Sequence, residues 1–86
     1  MKLVRNQTAD GTGKYSVTRN RDGKVLDSHP GSHEEFFVLM LKDEYSKPAL
    51  QAYADAVRAF DPEYAAEIDE MAARSGVDHP AAKKPD

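Results

Sequence analysis

The fold class depends on one stretch of sequence, Glu34-Glu35-Phe36-Phe37-Val38-Leu39-Met40-Leu41-Lys42-Asp43. It places six consecutive apolar residues, 36–41, between an acidic pair and a charged exit, in a chain that is otherwise hydrophilic. A run of this kind must be buried on nearly every side to be stable. It is therefore predicted to form the centre of a small core.

Two structures are open for this stretch. Ser32 and Glu35 fit a capping box, which would start a helix through residues 36–41. However, a helix should run for about ten residues or more, whereas a short apolar run bounded by charges fits a buried strand. We therefore predict a third strand at residues 36–41 and keep a helix as the alternative.

Upstream of this stretch the sequence predicts an antiparallel hairpin over residues 14–28. Residues 14–19 alternate polar and apolar side chains, as a half-buried strand does. Residues 20–23 then supply turn formers, and Gly23 accepts the positive φ that closes such a turn. Residues 24–27 are predicted to return as the second strand.

Downstream, helices are predicted over residues 46–60 and 62–75. A hydroxyl at Ser46 and a proline two residues later are typical of a helix start. Asp61 followed by Pro62 repeats that signal for the second helix. Gly76 is suited to the left-handed position that follows a helix. Each helix carries an apolar stripe at helical spacing, formed by Leu50, Tyr53, Ala54, Val57 and Phe60 in the first and by Tyr64, Ile68, Met71 and Ala72 in the second.

These elements predict a small α+β domain in which the hairpin and the third strand pack against the two C-terminal helices. The alternative is a hairpin followed by three helices. We expect a single domain over residues 1–76, with 1–13 as a mobile N-terminal segment and 77–86 as a flexible tail. The core is expected to contain Tyr15, Val17, Val25, Leu26, Phe37, Leu39, Leu41, Leu50, Tyr53, Val57, Phe60, Ile68 and Met71.

The composition excludes several classes of protein. The 86 residues include no cysteine, so neither disulfides nor thiolate metal sites can support the core. No apolar run is long enough for a membrane span or a signal peptide. We expect a soluble cytoplasmic protein.

The sequence contains no assembled catalytic or metal-binding motif. Its serines stand at turns, caps or a strand, where they serve the backbone. His29 and His33 have ligand-like spacing, but Pro30 and Gly31 between them break any helix that would give this spacing meaning. We therefore predict a protein that is not an enzyme and that uses no cofactor and no metal.

One basic segment is a candidate for binding nucleic acid. Arg19, Arg21 and Lys24 lie at the tip of the predicted hairpin, and basic β-ribbons can enter a groove. The acidic second helix would repel the phosphate backbone, so nucleic acid is kept only as the alternative partner. The same carboxylates could instead imitate phosphates toward a basic groove on another protein, although a solvated helix face explains them as well.

The stretch and the helices that follow it resemble small uncharacterised proteins of bacteriophages and prophages. The resemblance covers about residues 34–76 and does not include the hairpin. It implies a bacterial, phage-related context, and it carries no known activity, cofactor or site residue. The residues on which it rests are Glu35-Phe36-Phe37-Val38-Leu39, Lys42-Asp43, Ala49-Leu50, Ala52-Tyr53-Ala54-Asp55-Ala56, Asp61-Pro62-Glu63-Tyr64-Ala65 and Ala72-Ala73-Arg74-Ser75-Gly76.

The small size, the lack of catalytic chemistry and this context together predict a non-catalytic protein-binding module. We expect a phage or prophage accessory protein that binds or modulates a host protein. The alternatives are a nucleic-acid-associated accessory protein that uses the basic hairpin, and a structural homodimer that pairs through residues 36–41.

Overall fold

The computed structural model describes residues 15–84, which fall into two compact units, 15–38 and 39–84. The second unit contains helix α1 (Ser46–Val57), helix α2 (Pro62–Ala73) and a short 3-10 helix (Gly76–Asp78). In residues 15–84 no helix has the length and the apolar character needed to cross a membrane.

The predicted α+β class is wrong, because the described residues contain two helices and no strand. The chain does reverse at the predicted turn, where Gly23 has a φ of 71° and the Arg19 amide donates to the Lys24 carbonyl at 2.8 Å. Only one antiparallel bridge, Thr18 to Val25, continues from that turn. Within residues 15–38 there is no further strand for this ribbon to pair with, and a two-stranded ribbon alone is marginal.

The six-residue apolar stretch forms neither the predicted third strand nor the alternative helix. Residues 35–40 have no regular secondary structure, and residues 41–45 form turns and one bridge. The presumed capping box instead closes a local turn, since the Ser32 hydroxyl accepts from the Glu34 amide at 3.1 Å and the Glu35 carboxylate accepts from the Gly31 amide at 3.0 Å. Phe37 is 67% exposed, so this run is not the centre of a core.

Both predicted C-terminal helices are present, and each ends two or three residues earlier than predicted. Asp61 caps α2 as expected, because its carboxylate accepts from the Tyr64 amide at 3.1 Å. Ser46 does not cap α1, whose N-cap position is Tyr45. It is instead fully buried, and its hydroxyl donates to the Leu41 carbonyl at 2.9 Å.

The buried apolar side chains of α1 and α2 are three alanines and one isoleucine. Ala54 of α1 and Ala65 of α2 are completely buried, and Ile68 and Ala72 are nearly so. Of the predicted core, only Ile68 is buried. The predicted core residues Val25, Phe37, Tyr53 and Phe60 are exposed, and the half-buried ones are Tyr15, Val17, Leu26, Leu39, Leu41, Leu50, Val57 and Met71.

The error has a simple geometric cause. Two helices approach most closely where their facing side chains are smallest. Successive residues of a helix are rotated by about 100°, so contact through Ala54 turns Tyr53 to the side of the pair. Each helix has the apolar residues that the sequence pattern predicts, but the helices meet at the small residues along one edge of the stripe and not at its large residues.

Gly76 links the end of α2 to the residues at the start of α1 and just before it. Gly76 has the predicted positive φ, 64°, but α2 ends at Ala73, so Gly76 begins the 3-10 helix instead of following α2 directly. Its amide donates to the Leu41 carbonyl at 2.8 Å and to the Ser46 hydroxyl at 3.0 Å. Because α1 and α2 are also joined directly by residues 58–61, they form an antiparallel helical hairpin.

Residues after the 3-10 helix form hydrogen bonds with the segment that precedes α1. The Glu44 amide donates to the Lys83 carbonyl and the Lys83 amide donates to the Lys42 carbonyl, each at 2.9 Å. The Lys84 ammonium pairs with Glu44 and lies 5.3 Å from the centre of the Tyr45 ring. The flexibility of the tail and the domain boundary at residue 76 stay predictions, and the N-terminal segment 1–13 lies outside the described residues.

Candidate protein-binding surface

The three cations predicted for nucleic acid lie on the turn of the first unit. Arg19 forms a two-point ion pair with Asp22, at 2.6 and 3.1 Å, and Lys24 pairs with Glu34 at 2.7 Å. Arg21 is exposed and takes part in no ion pair within residues 15–84. Two of the three cations thus already face a carboxylate, and nucleic-acid binding here stays a prediction.

These ion pairs also lower the pKa values of the carboxyl groups that take part in them. The Arg19 guanidinium holds the pKa of Asp22 below its ordinary value, and the Lys24 ammonium does the same for Glu34. His29 makes a 2.5 Å contact with Asp27 and lowers the pKa of that carboxyl. Among residues 15–84 no group of three or more histidines and carboxylates is placed to hold a metal ion.

The second unit presents three exposed aromatic residues on its helical hairpin. Tyr53 of α1, Phe60 of the turn and Tyr64 of α2 are 53, 89 and 43% exposed. The two tyrosine rings meet edge to face, with centroids 6.2 Å apart and planes at 90°. We call Tyr53, Phe60 and Tyr64 the aromatic patch.

Helix geometry explains why these rings share a side. Tyr53 precedes the buried Ala54 and Tyr64 precedes the buried Ala65 by one residue, which in an antiparallel pair turns both tyrosines the same way. The chain remains in a helical turn after α1, since the Asp61 amide donates to the Val57 carbonyl at 2.9 Å. Phe60 therefore follows Tyr53 by about two turns and lies on the same side.

The other side of the hairpin is charged. The Arg58 guanidinium donates to both carboxylate oxygens of Asp69, at 2.8 and 3.1 Å, and to Asp55 at 3.0 Å. Asp55 follows Tyr53 by two residues, a rotation of about 200° around the helix. The hairpin thus has one aromatic side and one side crossed by an ion network.

Carboxylates stand beside the aromatic patch. The pKa of Tyr64 is raised, first by the adjacent Tyr53 and then by the negative charges of Glu67 and Asp61. Within residues 15–84 neither Glu63 nor Glu67 takes part in an ion pair. The cations of the helices are engaged elsewhere: Lys47 pairs with Asp78, Arg58 pairs with Asp55 and Asp69, and Arg74 donates to the Glu70 carbonyl.

The sequence interpretation missed this surface because it placed Tyr53 and Phe60 in the core. A usable signal was present. Each helix has alanines at the edge of its stripe, Ala54 in α1 and Ala65 and Ala72 in α2. Small residues at matched positions of two neighbouring helices favour contact there, which leaves the larger residues beside the interface.

The ion network makes a pH-dependent prediction. Arg58 holds the pKa of Asp69 below its ordinary value of 3.8. A carboxyl group whose pKa is lower in the folded state stabilises the protein when the pH is above the ordinary pKa. This contribution disappears as the pH falls through the lowered pKa of the folded state. We expect Arg58→Gln to raise the pKa of Asp69 in an NMR titration. Arg74→Gln removes a cation that bonds only a backbone carbonyl, so it should leave the pKa of Asp69 unchanged.

Comparisons with protein-family models, with curated protein sequences and with solved structures find no match to this chain. The resemblance of residues 34–76 to phage and prophage proteins therefore stays a prediction.

Proposed function

We propose that the chain is a non-catalytic protein-binding module and that the aromatic patch is its docking surface. The observation that supports this proposal is the exposure of Tyr53, Phe60 and Tyr64 on the helical hairpin, with the two tyrosine rings in contact. Single exposed apolar residues are ordinary, whereas a contiguous exposed patch marks an interaction surface.

Aromatic side chains suit this role for energetic reasons. Burial of apolar area contributes about 25 cal/mol per Å², and a ring offers a large area that loses little conformational freedom. Tyrosine and phenylalanine are accordingly enriched at the centres of protein interfaces. The edge-to-face contact fixes the Tyr53 and Tyr64 rings relative to each other.

The proposed setting is the cytoplasm of a bacterial host, with a host protein as the partner. This part of the proposal is supported by the resemblance of residues 34–76 to small phage and prophage proteins.

The test is affinity capture of a host protein by three forms of the full-length chain. We expect wild type to retain one stoichiometric partner, and the double variant Tyr53→Ser, Phe60→Ser to lose it. Both residues are more than half exposed, so their replacement should leave the helices intact by circular dichroism. The matched control is Val77→Ser, which removes a 71% exposed apolar residue at the opposite end of the hairpin. It should retain the partner.

Two results would contradict the proposal. Capture that is equally strong with the double variant would place the binding surface elsewhere. Capture that disappears after nuclease treatment would favour the basic turn instead, and it should then weaken steeply with salt.

A further inference from the structure

We propose that the aromatic patch binds a cationic amphipathic helix of its partner, with apolar residues on one face and lysine or arginine beside them. This inference rests on the proposed function and adds the chemistry of the partner. It follows from the charges that surround the patch.

The patch has apolar character at its centre and negative charge at its edge. Glu67 follows Tyr64 by three residues on the same helix, and Asp61 accepts from the Tyr64 amide at 3.1 Å. Both carboxylates are close enough to raise the pKa of the tyrosine. In residues 15–84 Glu63 and Glu67 have no ion-pair partner, so their charge is available to another molecule.

A second copy of the chain does not satisfy this arrangement. In a two-fold dimer the same patch would lie on both sides of the interface. The second copy would bring further carboxylates and no available helix cation, because Lys47, Arg58 and Arg74 are engaged within their own chain. A helix with cations beside its apolar stripe would complement both features, because its apolar face would cover the rings while its cations lie near the carboxylates.

The test uses three synthetic peptides of about 18 residues, or five helical turns. They share one leucine and phenylalanine stripe and differ only in the polar face, which is lysine, glutamine or glutamate. Binding to the full chain is measured by calorimetry at about 0.05 and 0.5 M salt. We expect the lysine peptide to bind at least about tenfold more tightly than the glutamine peptide at low salt, and the glutamate peptide to bind most weakly. The preference should shrink at high salt.

A pair of variants locates the charge effect on the surface. Glu67→Gln should reduce the preference for the lysine peptide by about threefold or more, because Glu67 is beside Tyr64. Glu70→Gln removes the same charge from an exposed position of α2 farther around the helix from Tyr64, so it should change the preference less.

The outcomes separate this inference from the proposed function. If all three peptides bind equally well, and the Tyr53→Ser, Phe60→Ser variant binds none of them, the charge preference is overturned. The docking surface then remains supported. No binding of any peptide would overturn this inference, whereas the docking surface itself is decided by the capture experiment with the same double variant. If the chain then sediments as a dimer that the same double variant dissociates, a second copy occupies the patch.

Discussion

Gly76→Ala should destabilise the second unit by about 2–4 kcal/mol, an estimate that combines backbone strain with overpacking. Gly76 has a φ of 64°, a conformation that costs a residue with a Cβ about 1–2 kcal/mol. The added methyl group would also lie 3.0 Å from the Lys47 Cβ and 3.3 Å from the Glu44 carbonyl oxygen. The backbone oxygen cannot rotate away, so the loop must shift and weaken the bonds from the Gly76 amide to Leu41 and Ser46.

The measurement is urea unfolding followed by far-UV circular dichroism, which reports the two helices. A domain of this size has about 4–13 kcal/mol of stability, so the midpoint should fall substantially. Gly31→Ala is the control, because Gly31 also has a positive φ, 84°, but it has no atom within 4 Å of an added Cβ and belongs to the first unit. It should leave the midpoint of the helical signal unchanged. Equal effects of the two changes would show that the loss at Gly76 does not come from its contacts in the second unit.

The same glycine shows what the sequence could predict. A glycine directly after a helical pattern signals a left-handed cap, and Asp61-Pro62 signals a helix start, because both depend on the chemistry of neighbouring residues. The prediction for Asp61 is confirmed by its cap on α2. Gly76 has the predicted positive φ, but it lies three residues beyond the end of α2, at the start of the 3-10 helix. The partners of the Gly76 amide, Leu41 and Ser46, are 30 or more residues away in sequence. No local pattern contains that information.

The errors arose where burial depends on distant packing. The run 36–41 is predicted to be buried because apolar residues favour burial, but the burial of each side chain depends on which distant segments pack on it, and Phe37 is 67% exposed. For the same reason the aromatic patch was assigned to the core, since periodicity identifies an apolar side of a helix but not which part of that side meets the next helix.

Ala54→Leu should destabilise the helical hairpin by about 1–3 kcal/mol, because it forces extra methylene groups into a contact that has no space for them. Ala54 is completely buried against α2, where Ala65 is also completely buried. Leucine is nearly as good a helix former as alanine, so the loss reports packing and not helix propensity. We expect a lower urea midpoint with the helical signal of the native state retained.

The control is Ala56→Leu, an exposed position two residues along the same helix, which should change stability by less than about 0.5 kcal/mol. The comparison also tests how the aromatic patch is supported. The ring centroids of Tyr53 and Tyr64 are 6.2 Å apart, and separation of α1 from α2 would move the two rings away from each other. Ala54→Leu should therefore weaken binding of the cationic peptide, although Ala54 is not on the surface. A leucine at position 54 that leaves the midpoint unchanged or raises it would mean that the helices do not meet at their alanines. The large residues of the stripe would then form the core, and the proposal that the aromatic patch is a docking surface would be wrong.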